Sequence, residues 1–295
     1  MSEEKRRILI HLDGDAQPSV FDRVVAIDAG VDELLSYGNV KPEQVRDLVH
    51  GAIFTRGPKD LARTAIFIGG TDVAKAEGLL AEACKHMLPQ FGLRVSILLD
   101  ANGANTTAAA AVHAAAKHLN LSETAALVLG GTGPVGQRVA RLLAGSNARV
   151  TLASRQLSRA EAVRQAIVAR VPAAAIEPLA ITTALDLASA LQNKTLVVAC
   201  GAAGVVLLPQ AVREAATSLK VVIDLNAVPP PGIEGVEITD RGAARQNVVA
   251  YGALGIGGTK MKIHKAAIRK LFERNDQILD AEEAYAIAKE LDGGG

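Results

Sequence analysis

The sequence is poor in aromatic side chains, cysteine, net charge and long apolar runs, and each shortage removes a class of protein. Tryptophan is absent and aromatic residues make up 3% of the 295 residues against 49% hydrophobic residues, so the cores must be aliphatic, as in proteins built on parallel sheets. Two cysteines, Cys84 and Cys200, exclude a disulfide framework and read as inert core thiols in a reducing compartment. A net charge of +1 gives no reason to expect nucleic acid or an acidic surface as partner. Apolar stretches are broken by Gly, Pro or charge within the length a bilayer requires, so no membrane span is expected. The charged residues 2–7, followed by a strand-length apolar run, do not read as a signal peptide, and the expectation is a soluble, cytoplasmic protein. Chemical motifs are missing too. The six histidines form neither HxxxH nor HExxH, which leaves no metal site, and there is no GxSxG elbow for a nucleophilic serine.

What is present is organised around residues 125–136. An apolar run, residues 125–129, is short enough for a buried strand, breaks into Gly131-Thr132-Gly133-Pro134-Val135-Gly136, and leads into a helical pattern. In a dinucleotide-binding turn Gly131 permits the tight bend, Gly133 the approach of a pyrophosphate to the backbone, and Gly136 close packing of helix on strand. The N–H groups at the helix start then face the phosphates. Residues 148–153 supply the second strand of a βαβ unit, which lifts the fingerprint above a merely structural turn. At that strand's end an NAD site usually carries Asp or Glu for the ribose 2′-hydroxyl, whereas here stand Ser154 and Arg155, with Arg159 a helical turn on. A guanidinium suits a 2′-phosphate, so NADP is the expected cofactor and NAD the weaker one; the plainer alternative is that both arginines are solvated helix-start charges.

The rest of the chain repeats the same grammar. Strands are expected at residues 6–13, 64–68 and 93–99, and helices from Pro18-Ser19 to Gly30, from Pro42 to His50, and from a Thr71-Asp72 cap to Met87. The first hundred residues thus form a parallel-sheet layer of their own. Asn105, Thr106 and Thr107 stand at a strand's carboxyl end before an alanine-rich helix over 108–119, as caps that also face a cleft. Strands at 195–199 and 221–225 end in small or rigid loops, with Gly201, Ala202, Ala203, Asn226 and Ala227 as further cofactor contacts. A glycine-rich segment, residues 251–259, includes Leu254 as a cofactor contact and precedes helices over 260–274 and 281–291, the latter capped by Asp280. Lys260, Lys262 and Lys265 follow that segment, and the terminal glycines, 293–295, are expected to fray. The expected fold is α/β with two domains. An N-terminal αβ domain, 1–120, carries the substrate and has helices 260–295 packed back on it, and a Rossmann-type NADP domain spans 121–259.

Six strings carry a family likeness over nearly the whole chain: Pro18-Ser-Val-Phe-Asp22, Tyr37-Gly-Asn-Val40, Phe54-Thr-Arg-Gly57, Asn102-Gly-Ala-Asn-Thr-Thr107, the glycine fingerprint, and Gly252-Ala-Leu-Gly-Ile-Gly-Gly258. The sequence resembles the NADP-dependent methylene-tetrahydromethanopterin dehydrogenases of one-carbon-metabolising bacteria. The resemblance implies reversible hydride transfer from the methylene bridge of a reduced pterin to NADP, a pterin site that includes Lys260, Phe21, Asp22, Asn105, Thr106 and Thr107, and a homo-oligomer, a trimer. Val228-Pro-Pro-Pro231 and Thr259, where an apolar residue is expected, depart from the pattern and bear on the choice of pterin. Rival readings are the same reaction on methylene-tetrahydrofolate and a non-catalytic NADP-binding redox sensor. A polyol or ketone dehydrogenase lacks support for want of a convincing Tyr-x-x-x-Lys pair in the cleft.

Overall fold

The structure, a computed structural model, describes residues 5–293; residues 2–4 of the charged start and the terminal Gly294 and Gly295 lie outside the described residues. β1 (Ile8–Asp13) is buried from Leu9 onward, as a strand covered on both faces must be. α1 (Val20–Asp28) starts where Ser19 Oγ accepts a hydrogen bond from Asp22 N at 3.2 Å, and the chain turns away at Gly30 with φ +88°. β2 (Glu33–Tyr37) alternates half-buried and exposed residues, the pattern of an edge strand, and lacks the continuous apolar run by which the other strands are recognised. α2 (Pro42–Phe54) opens on Pro42 and extends a turn beyond His50, because Val49, Ala52 and Ile53 continue the stripe begun by Val45. β3 (Thr64–Gly69) is wholly buried, and α3 (Val73–Lys85) is capped by Asp72, whose carboxylate accepts from Lys75 N at 3.0 Å. β4 (Ser96–Leu99) follows.

α4 (Ala104–Ala116) begins at Ala104 and not at Ala108. Asn105, Thr106 and Thr107 therefore lie inside the helix, and the capping oxygen is Asp100 Oδ1, which accepts from Asn105 N at 2.9 Å and Thr106 N at 3.1 Å. The alanines at 108–111 are all buried, as a helix apolar on every side must be.

The chain continues through β5 (Ala125–Leu129), α5 (Pro134–Gly145), β6 (Arg149–Ser154), α6 (Leu157–Arg170), β7 (Ile176–Ala180), α7 (Ala184–Ala190), β8 (Leu196–Ala199), α8 (Gln210–Ala215) and β9 (Val221–Asp224). A hairpin of β10 (Arg241–Arg245) and β11 (Val248–Tyr251) leads into α9 (Ala253–Lys270), and β12 (Ile278–Leu279) and α10 (Ala281–Gly293) close the described chain. α9 takes in most of the glycine-rich segment, starting at Ala253 and not at the expected Lys260. Its start is packed so closely that a Cβ on Gly255 would lie 1.8 Å from the Asp240 carbonyl oxygen.

The chain divides into two compact units, one of the residues up to Thr106 together with those from Met261 onward, the other spanning Thr107–Lys260. The first holds a five-stranded parallel sheet in the order β12-β4-β3-β1-β2. The second holds seven strands, β10-β11-β9-β8-β5-β6-β7, parallel except for the β10–β11 pair. The six parallel strands of that sheet have the doubly wound order of a dinucleotide-binding domain, with its reversal between β5 and β8, and the first sheet reverses between β1 and β3. Ligands in open parallel sheets bind beyond the strand carboxyl ends at such reversals. Core strands are aliphatic: Leu127, Val197 and Val222 sit in one cluster and Leu9, Ile66 and Ile97 are each at most 1% exposed. Burial of each such side chain is worth about 1.5–3 kcal/mol.

The cysteines need correction. Cys84 is exposed and so is not a core thiol, while Cys200 is half-buried with its thiol pushed up by burial. Among the described residues no helix is long and apolar enough to cross a membrane, and no three His, Cys, Asp or Glu side chains are grouped to hold a metal ion.

Candidate functional site

In the second unit, the reversal between β5 and β8 opens on a cavity of about 670 Å³ lined by Gly130, Thr132, Gly133, Ser154, Arg155 and Arg159 together with Cys200, Gly201 and Ala202. The ends of β5 and β8 approach so closely that a Cβ on Gly130 would lie 2.6 Å from Gly201 Cα. The tight bend belongs to Gly130, φ +69°, and not to Gly131 as the fingerprint suggests. Gly131 instead packs its open side on Leu152, and its N–H donates to Ala153 O at 3.0 Å, tying the turn to β6. A Cβ on Gly136 would lie 2.6 Å from Gly130 O, so the first turn of α5 rests directly on the glycine turn. Pro134 and Val135 form that first turn, and Gly133 caps it without a side chain, leaving helix-start N–H groups to an anion.

At the end of β6, Ser154 Oγ accepts from Gln156 N at 3.3 Å, and Arg155 and Arg159 are both exposed. Neither guanidinium has a hydrogen-bond or ion-pair partner among the described residues, and no carboxylate lines the cavity. Not every expected contact joins this cavity. Ala203 is exposed and outside its lining, and Leu254 is 60% exposed in the first turn of α9. Asn226 and Ala227 line a separate hollow of about 260 Å³ beyond β9. There the Asn226 side chain is taken up by the proline loop, donating to Pro230 O at 2.9 Å and accepting from Val228 N at 3.0 Å.

In the first unit, polar groups converge at the carboxyl ends of β1, β3 and β4. His11 and Asp13 are buried within β1 with His11 Nε2 3.5 Å from Asp13 Oδ2, and Asp13 also accepts from Asp15 N at 2.8 Å and Ser19 N at 3.0 Å. Burial opposes ionisation of Asp13, but these donors outweigh it and hold its carboxyl below the usual range. The rings of His11, Phe67, His264 and Phe21 follow one another at centroid distances of 5.0, 5.6 and 6.4 Å. His264, on α9, lies 4.0 Å from Asp100 Oδ2, to which Thr106 Oγ1 donates at 2.6 Å. Asn105 Nδ2 donates to Leu99 O at 2.5 Å and to Asp280 Oδ1 at 2.9 Å. Both side chains are buried and committed to holding this corner together, whereas Thr107 is half-buried. Asp22 is half-buried and Phe21 49% exposed. Burial pushes the Asp22 carboxyl up, in part offset by the field of His264 and the Ser19 hydroxyl.

A family model described as methylene-tetrahydromethanopterin dehydrogenase, N-terminal, matches residues 20–102. A Methylorubrum extorquens protein named bifunctional protein MdtA is 44% identical over 290 residues, which is 97% of this chain and 99% of that one. A second protein of that organism, named NAD(P)-dependent methylenetetrahydromethanopterin dehydrogenase, is 32% identical over 286 residues, 93% of this chain and 95% of its own. The chain belongs to the methylene-tetrahydromethanopterin dehydrogenase family. Among solved structures, the ligand-free 5-ketofructose reductase of a Gluconobacter species is similar in fold, with a TM-score of 0.51 at 15% identity over 97% of this chain and 99% of its own.

In this methylene-tetrahydromethanopterin dehydrogenase family member, several residues at the first-unit site escape a reading of the sequence. His11 and Asp13 look like part of an apolar strand, and only their polarity within such a run marks them. His264 lies mid-helix, and Gly69 is overlooked because its reason is an approach between strands. Of the three lysines after the glycine segment, Lys262 is exposed, Lys265 pairs with Asp28 at 2.7 Å, and Lys260 is half-buried, one turn before His264 on the same face of α9.

Proposed function

We propose that this protein is an oxidoreductase that exchanges a hydride between methylene-tetrahydromethanopterin and NADP, interconverting the methylene and methenyl forms in one-carbon oxidation. The observation that carries the reading is an arginine-rimmed dinucleotide cavity without a carboxylate, on a chain matched over 93% of its length by a relative named for this reaction. When bound, NADP supplies the carbon that accepts the hydride. The uncrowded backbone of Gly133 and the helix-start N–H groups of α5 take the pyrophosphate, and Arg155 and Arg159 reach the 2′-phosphate.

The reaction asks little acid–base chemistry of the protein. A hydride leaves the methylene carbon with its bonding pair, and the two flanking nitrogens stabilise the amidinium-type cation that remains, so no proton moves. Catalysis is then chiefly alignment of donor and acceptor carbons. Phe21, Asp22 and Thr107 bind the pterin in this reading, with Asn105 and Thr106 supporting the site from within α4. Lys260 orients the substrate by donating to a ring carbonyl, since a bare cation beside a developing cation repels it. Lys260→Ala is expected to lower kcat/KM for the pterin by about 10- to 100-fold, as loss of one charged hydrogen bond does. Unchanged turnover and pterin affinity would remove Lys260 from the site.

The test of the reading as a whole is an absorbance assay at the nicotinamide band with both tetrahydromethanopterin and tetrahydrofolate substrates and both nicotinamides. Reduction of NADP by methylene-tetrahydromethanopterin, fastest of the four combinations, is expected; no reduction with any pterin overturns it. A cytoplasmic homo-oligomer, a trimer, belongs to the same reading, and sedimentation equilibrium that finds a monomer would remove that part.

A further inference from the structure

We propose that Asp224 is a positioning residue for the nicotinamide half of the cofactor: its buried carboxylate holds, through Gly232 and Leu207, the wall of the dinucleotide cavity on the far side of β5 from Arg155. The inference rests on the NADP reading above and adds a residue that does not itself line the cavity.

Asp224 is the last residue of β9 and 2% exposed. A buried carboxylate is costly unless a cation or several donors compensate it. No Lys or Arg pairs with Asp224 among the described residues, and its partners are backbone N–H groups alone. Oδ1 accepts from Asn226 N and Oδ2 from Ile233 N, each at 3.0 Å, and Gly232 N is a third donor. The approach is close because Gly232 has no side chain: a Cβ there would lie 2.8 Å from Asp224 Oδ1. One carboxylate thus gathers both ends of the proline loop, residues 226–233.

From Gly232 the bonding passes to the cavity. Gly232 O accepts from Leu207 N at 2.8 Å and from Leu208 N at 3.0 Å, and Leu208 O accepts from Glu234 N at 3.0 Å, which ties the segment after β8 to the loop after β9. Leu207 lines the dinucleotide cavity with Cys200, Gly201 and Ala202, and a Cβ on Gly201 would lie 2.5 Å from Leu207 Cδ1. This wall follows β8, Arg155 follows β6, and β5 runs between those two strands. In a doubly wound sheet a dinucleotide lies across the reversal, its adenosine half over the first βαβ unit and its nicotinamide half over the second. The Leu207 wall is therefore the nicotinamide side. Moving it misplaces the carbon that accepts the hydride, and alignment of that carbon is the chief demand of the reaction.

Burial pushes the Asp224 carboxyl up against the pull of its three N–H donors, so it protonates at a higher pH than an ordinary aspartate. A protonated oxygen no longer accepts, and one end of the loop is released. Two other ionisable groups face this corner: the Cys200 thiol beyond β8, which burial and the Asp224 charge both push up and so keep neutral, and Glu237, which shares with Asp224 the lining of the hollow beyond β9. Asparagine has the volume of aspartate but one oxygen for three donors. Asp224→Asn also removes a charge that burial disfavours, so the variant should fold.

The experiment uses the full chain, calorimetry and two ligands, NADP and 2′-phospho-ADP-ribose, which is NADP without its nicotinamide ring. Asp224→Asn is expected to weaken NADP about 10-fold and 2′-phospho-ADP-ribose by less than about 2-fold, the loss of one hydrogen bond being felt on the nicotinamide side alone. In wild type the ratio of the two affinities should fall on acidification, beginning above the usual aspartate range, and in the variant it should stay level. The phosphates are common to both ligands and cancel from the ratio. Equal weakening of both ligands, or of neither, overturns the assignment, as does a wild-type ratio that ignores pH. Should the variant prove unfolded by circular dichroism, the wild-type pH series decides alone. A wild-type protein that binds neither ligand ends the NADP reading and this inference together. One that shows the split yet transfers no hydride keeps the Asp224 assignment and ends the oxidoreductase reading.

Discussion

Replacing Arg155 with Ala is expected to raise KM for NADP by about 10- to 100-fold while moving that for NAD by less than about 2-fold. The asymmetry follows from what the end of β6 contains. Ser154, Arg155 and Gln156 occupy the position from which an NAD site reads the ribose hydroxyls, and none can accept both of them as a carboxylate does. Arg155 and Arg159 are exposed on the cavity rim and spend no hydrogen bond on the protein, so their donors remain for a dianionic phosphate that only NADP carries. The lost contact lies far along the cofactor from the reacting carbon and is the same in ground and transition states; KM should change and kcat should not. Adding Arg159→Ala should deepen the loss by less than the product of the single effects, because both guanidinium groups address one phosphate. Steady-state kinetics with both nicotinamides decide it, and equal effects on the two would turn these arginines into ordinary solvated charges.

Gly255→Ala is expected to destabilise the second unit by about 3 kcal/mol or more, whereas Gly257→Ala and Gly258→Ala, in the same helix, should stabilise it by about 0.5–1 kcal/mol. All three substitutions improve helix propensity, so propensity alone predicts three gains. The difference lies in what the new methyl group meets. At Gly255 it would lie 1.8 Å from Asp240 O and 2.7 Å from Asp240 C, whereas nothing lies within 4 Å at Gly257 or Gly258. Nor can the turn before β10 move aside cheaply. Asp240 O accepts from Gly252 N at 2.9 Å, its carboxylate holds Arg245 at 2.6 and 2.9 Å and Glu237 N at 2.9 Å, and Ile238 O accepts from Leu254 N at 2.8 Å. Thermal denaturation of the three variants would expose the contrast, and a Gly255→Ala protein as stable as Gly257→Ala would show that the turn yields.

That helix also shows where a reading of the sequence stops. Residues 251–259 have the composition of a loop, since each glycine in a helix costs about 1 kcal/mol relative to alanine. The segment is nonetheless helical from Ala253, because only glycines allow the helix to start against the 237–240 backbone. β2 and β7 carry little signal in the sequence for a related reason. Both flank a sheet at its edge, β7 even containing Pro178, and edge strands lack the continuous apolar run by which β3, β5 and β8 are recognised. Asn105, Thr106 and Thr107 are not the caps of α4 because the deciding acceptor, Asp100, stands several residues upstream of them.

By itself the sequence determined what depends on near neighbours along the chain: buried aliphatic strands, a strand–glycine turn–helix unit of the dinucleotide-binding kind, and the missing carboxylate on which the expectation of NADP rests. Tertiary structure alone decided the order of the strands in each sheet, the transfer of the sharp bend to Gly130, and the meeting of His11, Asp22, Gly69, Asp100 and His264 at the carboxyl ends of one sheet's strands. Local pattern records which face of an element is apolar, and that suffices to form the element. Which elements then lie side by side depends on distant contacts, and so does any site whose groups arrive on separate strands and helices.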